Sequence, residues 1–211
     1  GSPGTGKTTL SLSLAAAITN GGYLPDGSRA VQGSVLVWSG EDDPADTLKP
    51  RLAAAGANMS RVHFVGSVGH GHDARPFDPA RDIAGLEYAA EEIGDVALLI
   101  ADPVVSAVSG DSHKSTEVRR SLQPLINLAS NLDCAVLGIS HFSKGTAGRE
   151  PLERVTGSIA FGAVARIVLA AAKAEDGGRL LARAKSNIGP DGGGFAYNLE
   201  LVDAGGIEAS R

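Results

Sequence analysis

The sequence has a single cysteine, Cys134, set inside an apolar run, so no disulfide framework can form and a reducing compartment is expected. Long hydrophobic runs are missing too. No apolar stretch reaches the length needed to cross a bilayer and no signal peptide is visible, which points to a cytoplasmic protein without a membrane role. Nor is there an excess of positive charge. The formal net charge of −5 excludes attraction of the whole domain to nucleic acid, although basic loops lining a pore would escape that test. Internal repeats are absent, and the 28 glycines gather in loops without a period, which excludes collagen-like order. What is there, 211 residues of which 43% are hydrophobic and 20% charged, suits one α/β domain with a substantial core.

Helix and strand signals alternate as a parallel sheet requires. The leucines and alanines from Lys7 to Ile18 predict a buried helix, stopped by Asn20-Gly21-Gly22. Val35–Trp38 reads as a strand, and Asp43-Pro44 opens a helix towards Ala55. Val62–Val65 is the next strand, then a Gly/His loop and a helix from Pro79 to Ile93. Val96–Asp102 is the clearest buried strand, Glu117–Leu132 an amphipathic helix bent at Pro124, and Cys134–Ile139 another buried strand. A short helical piece at Ile159–Ala163 precedes three strands, Ile167–Ala171, Leu180–Ala184 and Phe195–Leu201, whose short turns predict antiparallel hairpins at the sheet edge. The expected fold class is therefore α/β, a mostly parallel twisted sheet flanked by helices. It is expected to form one domain over 1–211, truncated at its N-terminus, since a phosphate loop normally leaves the end of a buried strand and Gly1 already lies in it.

Gly1-Ser2-Pro3-Gly4-Thr5-Gly6-Lys7-Thr8 matches G-x-x-x-x-G-K-[ST] in full, and Thr9 continues it into the helix. Glycines let backbone N–H groups turn inward around a β-phosphate, aided by the positive end of the following helix. Lys7 would reach the β- and γ-phosphates of ATP, and the Thr8 hydroxyl would join the shell of Mg²⁺. A chance glycine-rich turn is the bland alternative, and a leucine-rich helix directly after the loop argues against it.

Asp102 ends an apolar strand, where a parallel sheet presents its ligand-binding residues, and is the second candidate metal residue. Hydrolysis also needs a carboxylate beside the attacking water. Asp102 is followed by Pro103 rather than an acid, so the base must come from elsewhere, and Glu41 after the Val35–Trp38 strand is the candidate. Asp42 and Asp43 compete for that role, Asp43 more naturally as a helix cap. His141, after the Cys134–Ile139 strand, could touch a γ-phosphate. His70 and His72 have no further ligands near them in sequence and read as solvated loop; His63 and His113 carry no signal.

The phosphate loop, Ser39-Gly40-Glu41-Asp42-Asp43 with Arg51, Leu98-Leu99-Ile100-Ala101-Asp102-Pro103, Ser140-His141 and Gly157-Ser158-Ile159-Ala160-Phe161 together resemble the RecA-like ATPases. More narrowly, they are similar to the RepA-type hexameric replicative helicases of plasmids and phages and their AAA-family relatives. The resemblance implies a homo-oligomeric ring, a hexamer, with ATP between neighbouring subunits. It makes Glu41 the base, His141 the γ-phosphate sensor and Arg51 a neighbour of the adenine. It also implies that Arg183 and Lys185 reach into the adjoining subunit's site. A lysine cannot form the planar fork of an arginine, so which of the two acts stays open.

Two loops could face a pore and contact single-stranded DNA through its phosphates, 109–114 and 142–149, though only Phe142 could stack on a base. The expected function is an ATP-hydrolysing motor domain of a ring-forming DNA helicase. The alternative is an ATP-driven switch that binds protein partners rather than DNA.

Overall fold

In the fold, two left-handed glycines bracket the first helix. Gly6 precedes α1 (Lys7–Asn20) with φ 83° and Gly21 closes it with φ 61°, a region in which a side chain would be strained. The Gly21 and Gly22 N–H groups donate back to the Ile18 and Ala17 carbonyls, satisfying the helix end where the sequence places its stop. The protein is described by a computed structural model that covers residues 1–69, 73–143, 145–146, 148–155, 160–174, 176–190, 192–203 and 208–210. His70 and His72 lie outside these residues, as do Lys144 in the second candidate DNA loop and Gly157-Ser158-Ile159.

Four parallel strands form the centre: β1 (Ser34–Ser39), β2 (Val62–Val65), β5 (Val96–Asp102) and β6 (Ala135–Gly138), in the order β2-β1-β5-β6. Between β2 and β5 come a two-stranded hairpin, β3 (Ser67–Val68) with β4 (Arg75–Pro76), and the helix α3 (Pro79–Ile93). Side-chain alternation along the two central strands sorts the core into two layers. Val35, Val37, Leu98 and Ile100 point to one face, against Leu12 and Ala15 of α1 and Leu52 of α2 (Lys49–Ala54). Leu36, Trp38, Leu99 and Ala101 point to the other, against α3 and α4 (Ser115–Asn131). Leu12, Leu36, Leu52 and Leu99 are almost wholly buried, each worth about 2 kcal/mol against exposure. Pro124 lies within α4, yet Leu122, Leu125 and Leu128 around it stay on the buried side.

Four features differ from the sequence expectation. The helix expected from Asp43-Pro44 onward starts as a π-turn over Pro44–Leu48 before α2, with the Lys49 N–H reaching back to the Pro44 carbonyl. Pro50 has no N–H to offer Asp46, and the widened turn makes room for its ring. β6 is not buried throughout: Val136 is 36% exposed, because β6 is the last strand of its sheet among the described residues.

The late strands β7 (Ile167–Lys173), β8 (Arg179–Ser186) and β9 (Gly194–Tyr197) are antiparallel as expected, but they form their own sheet beyond the short helix α5 (Ala160–Val164). Gly1 lies between the two sheets: its carbonyl accepts from Phe142 N–H, and a Cβ on it would come 2.3 Å from the Ala171 carbonyl oxygen. The strand expected to run on to Leu201 breaks after Tyr197, and a hairpin of β10 (Leu201–Asp203) with β11 (Glu208–Ser210) follows. No helix among the described residues is long and apolar enough to cross a membrane.

Candidate functional site

Parallel strands end on one edge of the sheet, and the candidate residues collect there. Asp102 is the last residue of β5, Glu41 follows β1, His141 follows β6, and the phosphate loop runs into α1 beside them. The Thr8 hydroxyl donates to Asp102 Oδ2 at 2.6 Å, so the two residues read as metal-binding are in direct contact. Lys7 Nζ donates to the Ser2 carbonyl at 2.9 Å and lies 3.3 Å from His141 Nδ1. An ammonium group can only donate, so with Lys7 charged Nδ1 is the acceptor and the imidazole proton sits on Nε2. That nitrogen faces Glu41, with Oε2 at 3.7 Å.

The loop itself is shaped as a cradle. Gly4 and Gly6 have φ of 73° and 83°, and a Cβ added to Gly4 would meet nothing within 4 Å. Thr5 is buried and its hydroxyl donates to the Ser2 carbonyl, while Pro3 stays exposed. Thr9 is buried against Ser210, their hydroxyl oxygens 3.1 Å apart.

The two central charges are both held against their preference. Asp102 is 5% exposed, and burial pushes its carboxyl above the usual range; the Thr8 hydrogen bond opposes this, and the charges of Glu41 and Asp42 add to it. Burial likewise lowers the Lys7 ammonium below its ordinary value, with Asp102 and Glu41 pulling it back. A site of this kind is short of counter-charge until a ligand arrives. No group of three or more His, Cys, Asp or Glu able to hold a metal exists among the described residues. One carboxylate and one hydroxyl are instead the donor set suited to Mg²⁺, which keeps waters and takes its remaining oxygens from substrate phosphates.

A stability prediction follows from Asp102. Its folded pKa is raised, so its ionised form costs stability that is absent below the ordinary carboxylate range and fully present once pH exceeds the raised value. Asp102→Asn should therefore melt higher than the parent at neutral pH, by roughly 2–4 °C for each kcal/mol of relief, the gap closing towards pH 4. Thermal scans at several pH values check this; a lower melting temperature at pH 7.5 would contradict the assignment of a burial-strained carboxylate.

The competing acids have other partners. Asp43 caps the π-turn by accepting from the Ala45 and Asp46 N–H groups, at 2.7 and 2.9 Å. Asp42 pairs with Arg51, Nη1 to Oδ2 at 3.2 Å. Arg51 is thus held beside Asp42. Arg183 and Lys185 lie on β8, remote from the phosphate loop in sequence and engaged within their own chain: Arg183 donates to the Pro190 carbonyl, and Lys185 Nζ to the carbonyls of Gly162, Ala163 and Ala165 at the end of α5.

In the first candidate DNA loop, Glu117 of α4 accepts from the Asp111 N–H and pairs with Lys114. In the second, the Arg154 guanidinium stacks 4.2 Å over the Phe142 ring and its carbonyl accepts from Ser143 N–H, closing the loop next to His141. Two contacts on the phosphate loop had no signal in the sequence. The Tyr197 hydroxyl donates to the Thr5 carbonyl at 2.7 Å, and Leu199 packs on Gly6. Tyr197 lies 192 residues downstream of Thr5, and neither it nor Leu199 belongs to a motif, so only the folded chain reveals these contacts.

No curated protein matches the chain. The model of one protein family, described as an AAA domain, matches residues 1–147, from the phosphate loop past Asp102 and His141. The match spans well over half of the 211 residues and includes every strand of the parallel sheet, so the chain belongs to the AAA domain family of phosphate-loop ATPases.

Proposed function

We propose that the chain is the ATP-hydrolysing, RecA-like motor domain of a ring-forming DNA helicase of the RepA type, acting on single-stranded DNA. The observation that carries the reading is the convergence of Lys7, Thr8, Glu41, Asp102 and His141 at one edge of the sheet, Thr8 bonded to Asp102 and His141 lying between Lys7 and Glu41.

In the proposed reaction, the loop amides and Lys7 hold the β- and γ-phosphates of ATP, and Lys7 leaves the Ser2 carbonyl to do so. Thr8 and Asp102 are the residues that would hold Mg²⁺, which supplies neutralisation of the charge on the phosphate oxygens. Glu41 orients a water molecule and takes its proton as the water oxygen bonds to the γ-phosphorus; the bond from that phosphorus to the β–γ bridging oxygen breaks, releasing ADP and phosphate. His141, between Lys7 and Glu41, exchanges its Lys7 contact for the γ-phosphate and so registers its presence. Arg51 would lie beside the adenine once parted from Asp42. In the ring, Arg183 and Lys185 would leave their carbonyl partners and supply positive charge to the neighbouring subunit's phosphates. Loops 109–114 and 142–149 would face the pore and touch DNA phosphates, the second starting directly after His141.

Added single-stranded DNA is expected to raise the ATPase rate of the intact protein several-fold, with binding that weakens steeply as salt rises. A rate indifferent to DNA, with no salt-sensitive binding, would sink the helicase reading and favour a nucleotide-driven switch acting on protein partners.

A further inference from the structure

The residues that follow the family match contribute a support to the phosphate loop. Tyr197, at the end of β9, donates its hydroxyl to the Thr5 carbonyl at 2.7 Å. Burial pushes the Tyr197 phenol above its ordinary range, so the group stays a protonated donor at any working pH. Two residues on, the Leu199 side chain fills the space beside Gly6, where a Cβ would come 2.6 Å from Leu199 Cδ1.

A trans peptide unit is planar, and its C=O and N–H point in opposite directions. The Thr5 carbonyl and the Gly6 N–H belong to one such unit. A donor that pins the carbonyl therefore fixes the amide in the opposite direction, away from Tyr197. Gly6 has φ 83°, a conformation open to glycine but not fixed by it, because glycine adopts several backbone states at little cost. The turn therefore gains definition from a contact outside itself.

We infer that Tyr197 is a positioning residue for nucleotide binding: by holding the Thr5 carbonyl it presents the Gly6 N–H to the phosphates, and Leu199 keeps the turn from relaxing. The inference rests on the reading that Gly1–Thr8 holds the phosphates of a nucleotide. Tyr197 touches no substrate in this role; it acts through the loop, whose grip is common to ADP and ATP.

The test is Tyr197→Phe in the intact protein, which keeps the ring and removes the donor. The Kd for MgADP and the KM for ATP should rise together about tenfold, with kcat within about twofold of the parent. The melting temperature without nucleotide should move little, while the rise caused by MgADP should shrink. A merely structural strut would give the reverse, a lower melting temperature with unchanged Kd, and that result overturns the inference. Should Tyr197→Phe not fold, Leu199→Ala loosens the same turn with the hydroxyl contact in place. It should raise the MgADP Kd about threefold, and an unchanged Kd rejects the proposal. Parent protein that fails to bind MgADP at all would remove the nucleotide reading itself, a failure visible before any variant is made.

Discussion

Lys7→Ala should bind MgATP at least a hundredfold more weakly than the parent and show no measurable turnover, while the unliganded variant melts at the same temperature or higher. The first half follows from charge. The Lys7 ammonium reaches back to the Ser2 carbonyl of the loop, and a charge-assisted contact to a triphosphate in a partly buried site is among the strongest single interactions a protein makes. The second half follows from burial. Lys7 has a lowered pKa in the unliganded fold, so its charged form is disfavoured there at neutral pH, and the penalty fades only as pH rises towards the ordinary lysine value. Its partners, the Ser2 carbonyl and His141 Nδ1, do not restore what water supplied. Alanine removes the penalty along with the grip. Melting curves with and without MgATP separate the two effects, since a ligand raises the melting temperature only of a protein that binds it. Normal turnover by Lys7→Ala, or an undiminished nucleotide-induced shift, would overturn the assignment of the loop.

The parallel core was legible because each of its signals is local. Val96–Asp102 is a run of apolar residues ending in an acid, and a strand buried on both faces leaves that trace. Gly21 and Asp43 mark helix ends by their own backbone or side-chain chemistry, and both act as the sequence suggests. The gathering of Asp102, Glu41 and His141 was inferable too, because strands that run parallel must finish on the same edge. What lay beyond reach was whatever depends on distant partners. Cys134–Ile139 reads as a buried strand, yet the exposure of Ala135–Gly138 within it is set by what lies next to it in the sheet, which its own residues do not encode. Nothing in Gly194–Tyr197 announces that its last residue will meet Thr5. Each antiparallel strand leaves its own local trace, but that β7, β8 and β9 form a sheet apart from the parallel one is a matter of tertiary placement that no single strand encodes.

Glu41→Gln should bind MgATP within about threefold of the parent and hydrolyse it a hundred to ten thousand times more slowly, the usual effect of removing a general base. Three neighbouring acids offered themselves in the sequence, and their partners now distinguish them. Asp43 spends both hydrogen bonds on the start of the π-turn, so Asp43→Asn should affect stability before turnover. Asp42 is drawn to Arg51 and turned towards α2. Glu41 contacts His141, which also contacts Lys7, and a γ-phosphate gripped by Lys7 would bring its attacking water to this carboxylate. An amide at this position keeps the shape and can still accept one hydrogen bond from water, but it cannot take the proton. Substrate binding therefore survives while the bond-forming step stalls. Single-turnover hydrolysis measured beside equilibrium binding reads the two apart, and Asp42→Asn is the decisive companion. If Asp42→Asn binds ATP and fails to cleave it while Glu41→Gln turns over normally, the base is Asp42, and the Arg51 pair must open to release it.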